Sequence, residues 1–309
     1  MTALLIATFN YESGGHNKLT DTFDMGPLKQ AFAVLDTPPA LILFCEGKLY
    51  RRHQYHGLRL AEQAFTEQFG TPYYGLLGTM TRGPMPPAIF YNTNVLTCLH
   101  WPGDDPHEHV FDGQRNLGRF RTKDGREFGA WVDHLDPWHG CDRLHAAKLR
   151  GPHGTSSLPF IGGGDLNCSA SGPHLPQRDW TTAHYAFRRY KGTHDGFDTD
   201  SRTLHGPVRS NTAPMDFLIG AWDHTTGQRT EGAGYHAIAE LAWQHQPRTT
   251  IQPSVIGKPH EGGTELIDWL LANDAMLPYV DPASYQVHTP AAGHPVPSDH
   301  YLITAVINL

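Results

Sequence analysis

Ser298-Asp299-His300 opens the last apolar run of the chain, Tyr301-Leu302-Ile303-Thr304-Ala305-Val306-Ile307. A run this apolar and rich in β-branched residues reads as a buried strand, so the Asp-His pair sits where that strand meets a loop. Working back through the chain, the same arrangement recurs. Leu266-Ile267-Asp268-Trp269-Leu270-Leu271 carries one carboxylate inside an apolar run. Phe160-Ile161-Gly162-Gly163-Gly164 ends at Asp165-Leu166-Asn167, and Phe128 to Val132 stops at Asp133-His134. Leu41-Ile42-Leu43-Phe44-Cys45 stops at Glu46, and Ala3 to Phe9 stops at Asn10. Strands that end on polar residues gather those residues along one edge of a sheet core.

The residue types at these ends carry chemistry. A carboxylate such as Glu46 holds a divalent cation through its oxygens. Asp165 and Asn167, two apart, put both side chains on one side, where a carboxylate orients water and an amide donates to an anion. The same Gly-Asp-x-Asn pattern is also good turn chemistry. Asp299 is suited to metal ligation, and His300 to base chemistry or phosphate contact near neutral pH. Asp268 needs a partner, because burying a carboxylate unpaired is expensive. A histidine on a neighbouring strand would supply one.

The rest of the chain fits one α/β unit of 309 residues with a large core. Helices are predicted at 27–35, 57–69, 141–149 and near 234–245, and strands at 3–9, 40–44, 88–91, 95–99, 128–132, 265–272 and 301–307. The stretch 72–100 reads as β-rich, 101–109 as a Pro/Asp/His-rich loop, and 169–232 as irregular. With 32 glycines and 24 prolines, much of the chain is loop. Strands and helices mix without strict βαβ alternation. Met1 to Ile6 lacks a basic segment and a cleavage site and is expected to be the first core strand, not a signal peptide. No apolar run reaches membrane-spanning length. Cys45, Cys98, Cys141 and Cys168 have no zinc spacing and read as free thiols, which points to a cytoplasmic, reducing location.

Taken in order, Thr8-Phe9-Asn10, Glu46, Asp133-His134-Leu135-Asp136-Pro137, Gly164-Asp165-Leu166-Asn167, Ile267-Asp268-Trp269 and Ser298-Asp299-His300 resemble the endonuclease/exonuclease/phosphatase family of metal-dependent phosphoesterases. The resemblance spans nearly the whole chain. It implies a four-layer α/β sandwich of two mostly antiparallel sheets flanked by helices. It implies one domain over 1–309 with a long inserted segment at about 169–262. It also implies phosphoester hydrolysis with Mg²⁺ or Mn²⁺, by in-line attack of an activated water. Carried over residue by residue, Glu46 resembles the principal metal ligand, with Asn10 and Asp299 beside it and Glu12 as a weaker transfer. Asp165 resembles the residue that positions or deprotonates water. Asn167 and His134 resemble the phosphate contacts, and His300 the histidine paired with Asp268. Asp216, in Met215-Asp216-Phe217-Leu218-Ile219, is the alternative partner, but Asp268 lies much closer in sequence to Asp299. The zone Gly83-Pro84-Met85-Pro86-Pro87 lacks the acid with which some deoxyribonuclease-like members orient the residue matching His134.

Two substrate classes remain open on the sequence. Arg178, Arg188, Arg189, Lys191, Arg202 and Arg209 interleave with Trp180, Tyr185, Phe187 and Tyr190, which suits nucleic acid. Asp179, Asp195, Asp198 and Asp200 dilute that signal, and the net charge of −7 suits a small phosphorylated metabolite or lipid headgroup at least as well.

Overall fold

The protein is described by a computed structural model covering residues 2–79, 85–102, 111–248, 250–290 and 295–309. Gly83, Pro84 and most of the expected 101–109 loop lie outside the described residues. Twelve strands form two six-stranded sheets. In chain order they are β1 Ala3–Asn10, β2 Leu41–Cys45, β3 Tyr73–Leu77, β4 Ala88–Asn92, β5 Leu96–His100, β6 Leu117–Thr122, β7 Glu127–Val132, β8 Phe160–Asp165, β9 Tyr235–Ala237, β10 Asp268–Asn273, β11 Val280–His288 and β12 Leu302–Asn308. One sheet runs β11-β12-β1-β2-β4-β3 and the other β9-β10-β8-β7-β6-β5. Each is antiparallel except for one central parallel pair, β1 with β2 and β8 with β7.

Side-chain alternation decides how the sheets stack. Leu4 and Ile6 of β1 and Leu41, Leu43 and Cys45 of β2 belong to the core shared with the second sheet. Ala7, Phe9, Ile42 and Phe44, on the opposite parity, pack under helices α1 (Gly26–Phe32) and α2 (Arg52–Phe69). α2 opens with left-handed backbone at His53, Gln54 and Tyr55. Ala147 of α3 (Gly140–Gly154), Met215 and Leu218 of α5 (Ala213–Ile219) and Ile238 of α6 (Ile238–His245) join the shared core beyond the second sheet. A short helix, α4 (Tyr185–Tyr190), lies in the inserted segment. The result is helices, sheet, sheet, helices.

The glycines of β8 let bulky neighbours lie flat beside them. A Cβ on Gly162 would meet the Trp131 ring at about 2.1 Å, and one on Gly164 would meet the Asp133 carbonyl at 2.3 Å. Cys45 closes the seam between sheets, its Sγ accepting from the Asp165 N–H at 3.2 Å.

Three local readings are corrected. Residues 235–237 are a strand before α6 begins, pairing with β10. Strand β6 was missed, although Leu117, Phe120 and Thr122 turn inward while Arg119 and Arg121 turn out. The run around Asp216 is helix α5 and not a strand, with Pro214 near its start.

Candidate active site

β1 and β2 run parallel, with Asn10 opposite Cys45, so Asn10 and Glu46 emerge at the same end. Beyond β1 the chain turns through Ser13 and Gly14, both left-handed. That turn aims the Ser13 N–H at Glu46 Oε2, 2.7 Å away. Glu46 itself has φ of +68°, an unfavourable conformation for a residue with a side chain. Asn10 Nδ2 donates to Glu46 Oε1 at 3.2 Å and to Asp165 Oδ2 at 2.9 Å. Its Oδ1 is buried and has no hydrogen-bond partner.

The second sheet brings in the remaining carboxylates. β8 and β10 are antiparallel, and their register sets Asp165 directly opposite Asp268. Two facing carboxylates repel unless a cation lies between them. His300 supplies it, with Nδ1 at 2.7 Å from Asp268 Oδ2 and Nε2 at 3.8 Å from Asp165 Oδ2. Burial favours the neutral imidazole, but the carboxylates of Asp268 and then Asp165 override it and push the His300 pKa up to about 10. Burial also pushes the Asp268 carboxyl up, against the pull of His300. The carboxylates thus favour the imidazolium form of His300, which suits it to donate to an anion.

Asp165 is the hub. Its Oδ1 accepts the Asn167 N–H at 2.9 Å, and Asn167 takes left-handed backbone to make that turn. His134 Nε2 lies 3.6 Å from Asp165 Oδ2. His134 Nδ1 is 3.4 Å from the Met85 carbonyl, so a backbone oxygen of the acid-free stretch takes the place of the orienting acid. Asn167 Nδ2 is bound to the Leu135 carbonyl at 3.0 Å. Asp133, next to His134, is structural and buried, with Arg150 Nε at 2.6 Å from its Oδ2.

Asp299 stands at the rim, with Oδ1 4.0 Å from His300 Nε2 and Oδ2 held by Lys258 Nζ at 3.2 Å. Glu12 is exposed, and only its backbone N–H reaches the site's supports, at Ser298 Oγ. Asp216 is remote from His300. It accepts from Ser171 N and Oγ and lies 3.6 Å from Arg229.

Sequence reasoning missed three supports. Ser254 Oγ accepts the N–H groups of Ile267 and Asp268, both at 3.0 Å, and the Ser254 carbonyl accepts from Tyr301 N. The residue thereby locks Asp268 to the strand that carries His300. Ser298 Oγ donates to the Asn10 carbonyl at 2.7 Å, tying β1 to the same strand. Lys258 is the third. Ser254 and Lys258 come from irregular chain with no periodicity to mark them, whereas Ser298 was visible as part of the opening motif.

The donor set fits a hard divalent cation. Glu46, Asp299 and the unpartnered Asn10 Oδ1 are oxygen donors of the kind Mg²⁺ and Mn²⁺ take. Asp165, Asp268 and His300 also converge closely enough to bind a metal. Among the described residues no helix is long and apolar enough to cross a membrane.

The chain matches no family model and no curated protein. Its structure is similar to many solved ones, among them three matched over essentially their full length. An endonuclease/exonuclease/phosphatase from Bacteroides vulgatus is 14% identical at a TM-score of 0.57, covering 100% of both chains. An endonuclease/exonuclease/phosphatase family protein from Leptotrichia buccalis is 12% identical at 0.56, over 99% of this chain and 100% of the other. An AP endonuclease from Archaeoglobus fulgidus is 12% identical at 0.55, with the same coverage. The chain thus has the endonuclease/exonuclease/phosphatase fold that its motifs resemble.

Proposed function

We propose that this chain is a divalent-metal-dependent phosphoester hydrolase, and specifically a phosphodiesterase of the nuclease kind. The observation that carries the reading is the buried Asp268–His300 pair turned toward Asp165, beside the cation-suited oxygens of Asn10 and Glu46. Fold alone fixes no function, so the argument rests on this constellation. We read 1–309 as one domain in which the segment at about 169–262 helps to select the substrate.

A Mg²⁺ or Mn²⁺ ion held by Glu46, Asn10 and Asp299 would offset charge on the phosphoryl oxygens. The chain's own groups do the rest. Asp165 Oδ2 takes the proton of an attacking water, with Asn167 N–H and Asn10 Nδ2 fixing the carboxylate. His300 Nε2 donates to the phosphoryl oxygens as negative charge builds, Asp268 keeps His300 protonated and aimed, and His134 contacts the same phosphate from the other side of Asp165. Asn167 supports the same oxygens through its side-chain amide.

A substrate panel with Mg²⁺ and Mn²⁺ tests the reading: plasmid, single-stranded DNA, RNA, a generic phosphodiester and a generic phosphomonoester. Diester hydrolysis is expected. Turnover of the monoester alone would replace this reading with a phosphatase for a small phosphorylated molecule.

A further inference from the structure

Trp138 and the inserted segment together form an aromatic wall with two cations. Trp138 and Tyr190 are large and 43% and 42% exposed, with ring centroids 6.2 Å apart and edge to face. Phe187 backs Trp138 at 6.1 Å. The Arg189 guanidinium lies over Tyr190 at 5.0 Å and over Phe197 at 3.9 Å. Lys191 Nζ sits 5.3 Å from the Phe187 centroid and 5.6 Å from that of Trp138.

Lys191 differs from Arg178, a basic residue of the same segment. Arg178 is ion-paired, with Nε on Glu265 at 2.7 Å and Nη1 on the Glu261 carbonyl at 2.7 Å. The Lys191 ammonium has no hydrogen-bonded or ion-paired partner among the described residues beyond the two rings it faces. It lines a narrow cleft together with Asn167, and the Asp165 carboxylate is among the charges acting on it. Burial and Arg178 push its pKa down, against Asp165, Glu261 and Glu265. A half-desolvated ammonium with no partner suits an anionic oxygen.

The wall is braced to the site. Asp136 Oδ1 accepts the N–H groups of Trp138 and His139, both at 2.7 Å. The preceding residue, Leu135, holds Asn167 through its carbonyl. A shift of Trp138 therefore has a short path to the residues around Asp165.

We propose that Trp138, Tyr190 and Lys191 form a subsite for one unpaired nucleotide adjoining the scissile phosphate of a single-stranded nucleic acid. The exposed rings take the base, and Lys191 takes a phosphate oxygen. Aromatic faces accept any base but only an unpaired one, because a paired base already stacks within its duplex. Two local cations on a chain of net charge −7 suit a footprint of a few nucleotides and not a long electrostatic groove. The identity of the bond cut rests on the phosphodiesterase reading above; the subsite itself is testable by binding.

The experiment measures anisotropy of a labelled single-stranded oligonucleotide, and of the matching duplex, on the full chain carrying Asp165→Asn to prevent turnover. Adding Trp138→Ala should weaken single-strand binding by roughly tenfold or more, as loss of one stacked base does. Trp138→Phe should restore most of the affinity, which a purely structural Trp138 would not explain. Lys191→Met should lower the log–log salt slope by about 0.7, the value for one single-strand phosphate contact. Unchanged single-strand affinity in Trp138→Ala, or a duplex bound as tightly as the single strand, overturns the subsite. Hydrolysis of a generic phosphodiester by the unmodified chain judges the reading beneath it separately. Stacking without hydrolysis overturns only that reading, and hydrolysis without stacking overturns only the subsite.

Discussion

Two buried histidine–carboxylate pairs of nearly equal length behave oppositely. His300 meets Asp268 at 2.7 Å, and His174 meets Glu240 at 2.6 Å. Around Glu240 the charges are closed off. Arg229 Nε donates to its second oxygen at 2.7 Å, and His174 stacks on Trp243 with centroids 4.4 Å apart. Arg229 also donates to the carbonyls of Gly220 and Ser171, so this cluster joins three loop segments. Around His300 the groups are left open. Among the described residues, Asp268 Oδ1 and Asn10 Oδ1 are buried without partners, and no arginine enters. The difference is what surrounds the pair, and not the pair itself: a carboxylate closed by an arginine as well as its histidine rigidifies, even with His174 Nδ1 left unpartnered, whereas an open, net-negative group of carboxylates suits a cation and a substrate.

The largest expected effect follows from that excess negative charge. Chelating divalent cations should take phosphodiester turnover to background. Glu46→Gln should abolish tight cation binding in calorimetry, because it removes a principal oxygen donor. Glu240→Gln should bind the cation as the unmodified chain does. Equal affinity in Glu46→Gln would remove Glu46 from the ligand set.

The next effect is on stability and separates the pairs the other way. Glu240→Ala leaves Arg229 and His174 facing a buried gap, and breaking such a pair costs about 3–5 kcal/mol. Chemical denaturation should show that loss. A change under about 1 kcal/mol would mean the cluster is not a structural clamp.

The same carboxylate sets a pH dependence. Burial would push Glu240 up, but the hydrogen bonds from Arg229 and His174 override it and hold its pKa below the usual range. Its contribution is therefore present above the unfolded carboxylate pKa, near 4.3, and is lost as pH falls through the lower folded value. Denaturation midpoints measured down to pH 3 should fall more steeply in the unmodified chain than in Glu240→Gln. Parallel curves would contradict the assignment.

How much of this was visible in the sequence depends on where each residue sits. Asn10, Glu46, Asp165, Asp268 and His300 stood out because each interrupts or ends an apolar strand, and strand parity then dictates where its side chain goes. The alternating strand β6 carried its own signal in Phe120 between Arg119 and Arg121. β11 did not, because it is a largely half-buried edge strand with Pro282 in it. Ser254 and Lys258 act from irregular chain, where position follows from tertiary packing alone. Asp216 misled because Met215-Asp216-Phe217-Leu218-Ile219 is as apolar as a strand, and a short apolar run does not distinguish strand from helix. Lys191 reads in the sequence as one of a basic cluster; only the fold separates it from the ion-paired Arg178.

The smallest effect concerns that displaced alternative. Asp216→Asn should change turnover by no more than about twofold, since Asp216 lies in α5, bound to Ser171 and near Arg229, away from His300. A loss as large as that of a catalytic residue would place Asp216 back beside His300.

The most direct test of the account compares kcat on a generic phosphodiester in Asp268→Asn and Glu240→Gln, with folding checked by circular dichroism. If Asp268 aims and charges the catalytic imidazole, Asp268→Asn should lower kcat by about 10²–10⁴ with the fold intact, whereas Glu240→Gln should stay within a few-fold of the unmodified chain. Comparable losses in both, or full activity in Asp268→Asn, would contradict the assignment of His300 and Asp268 to the reaction.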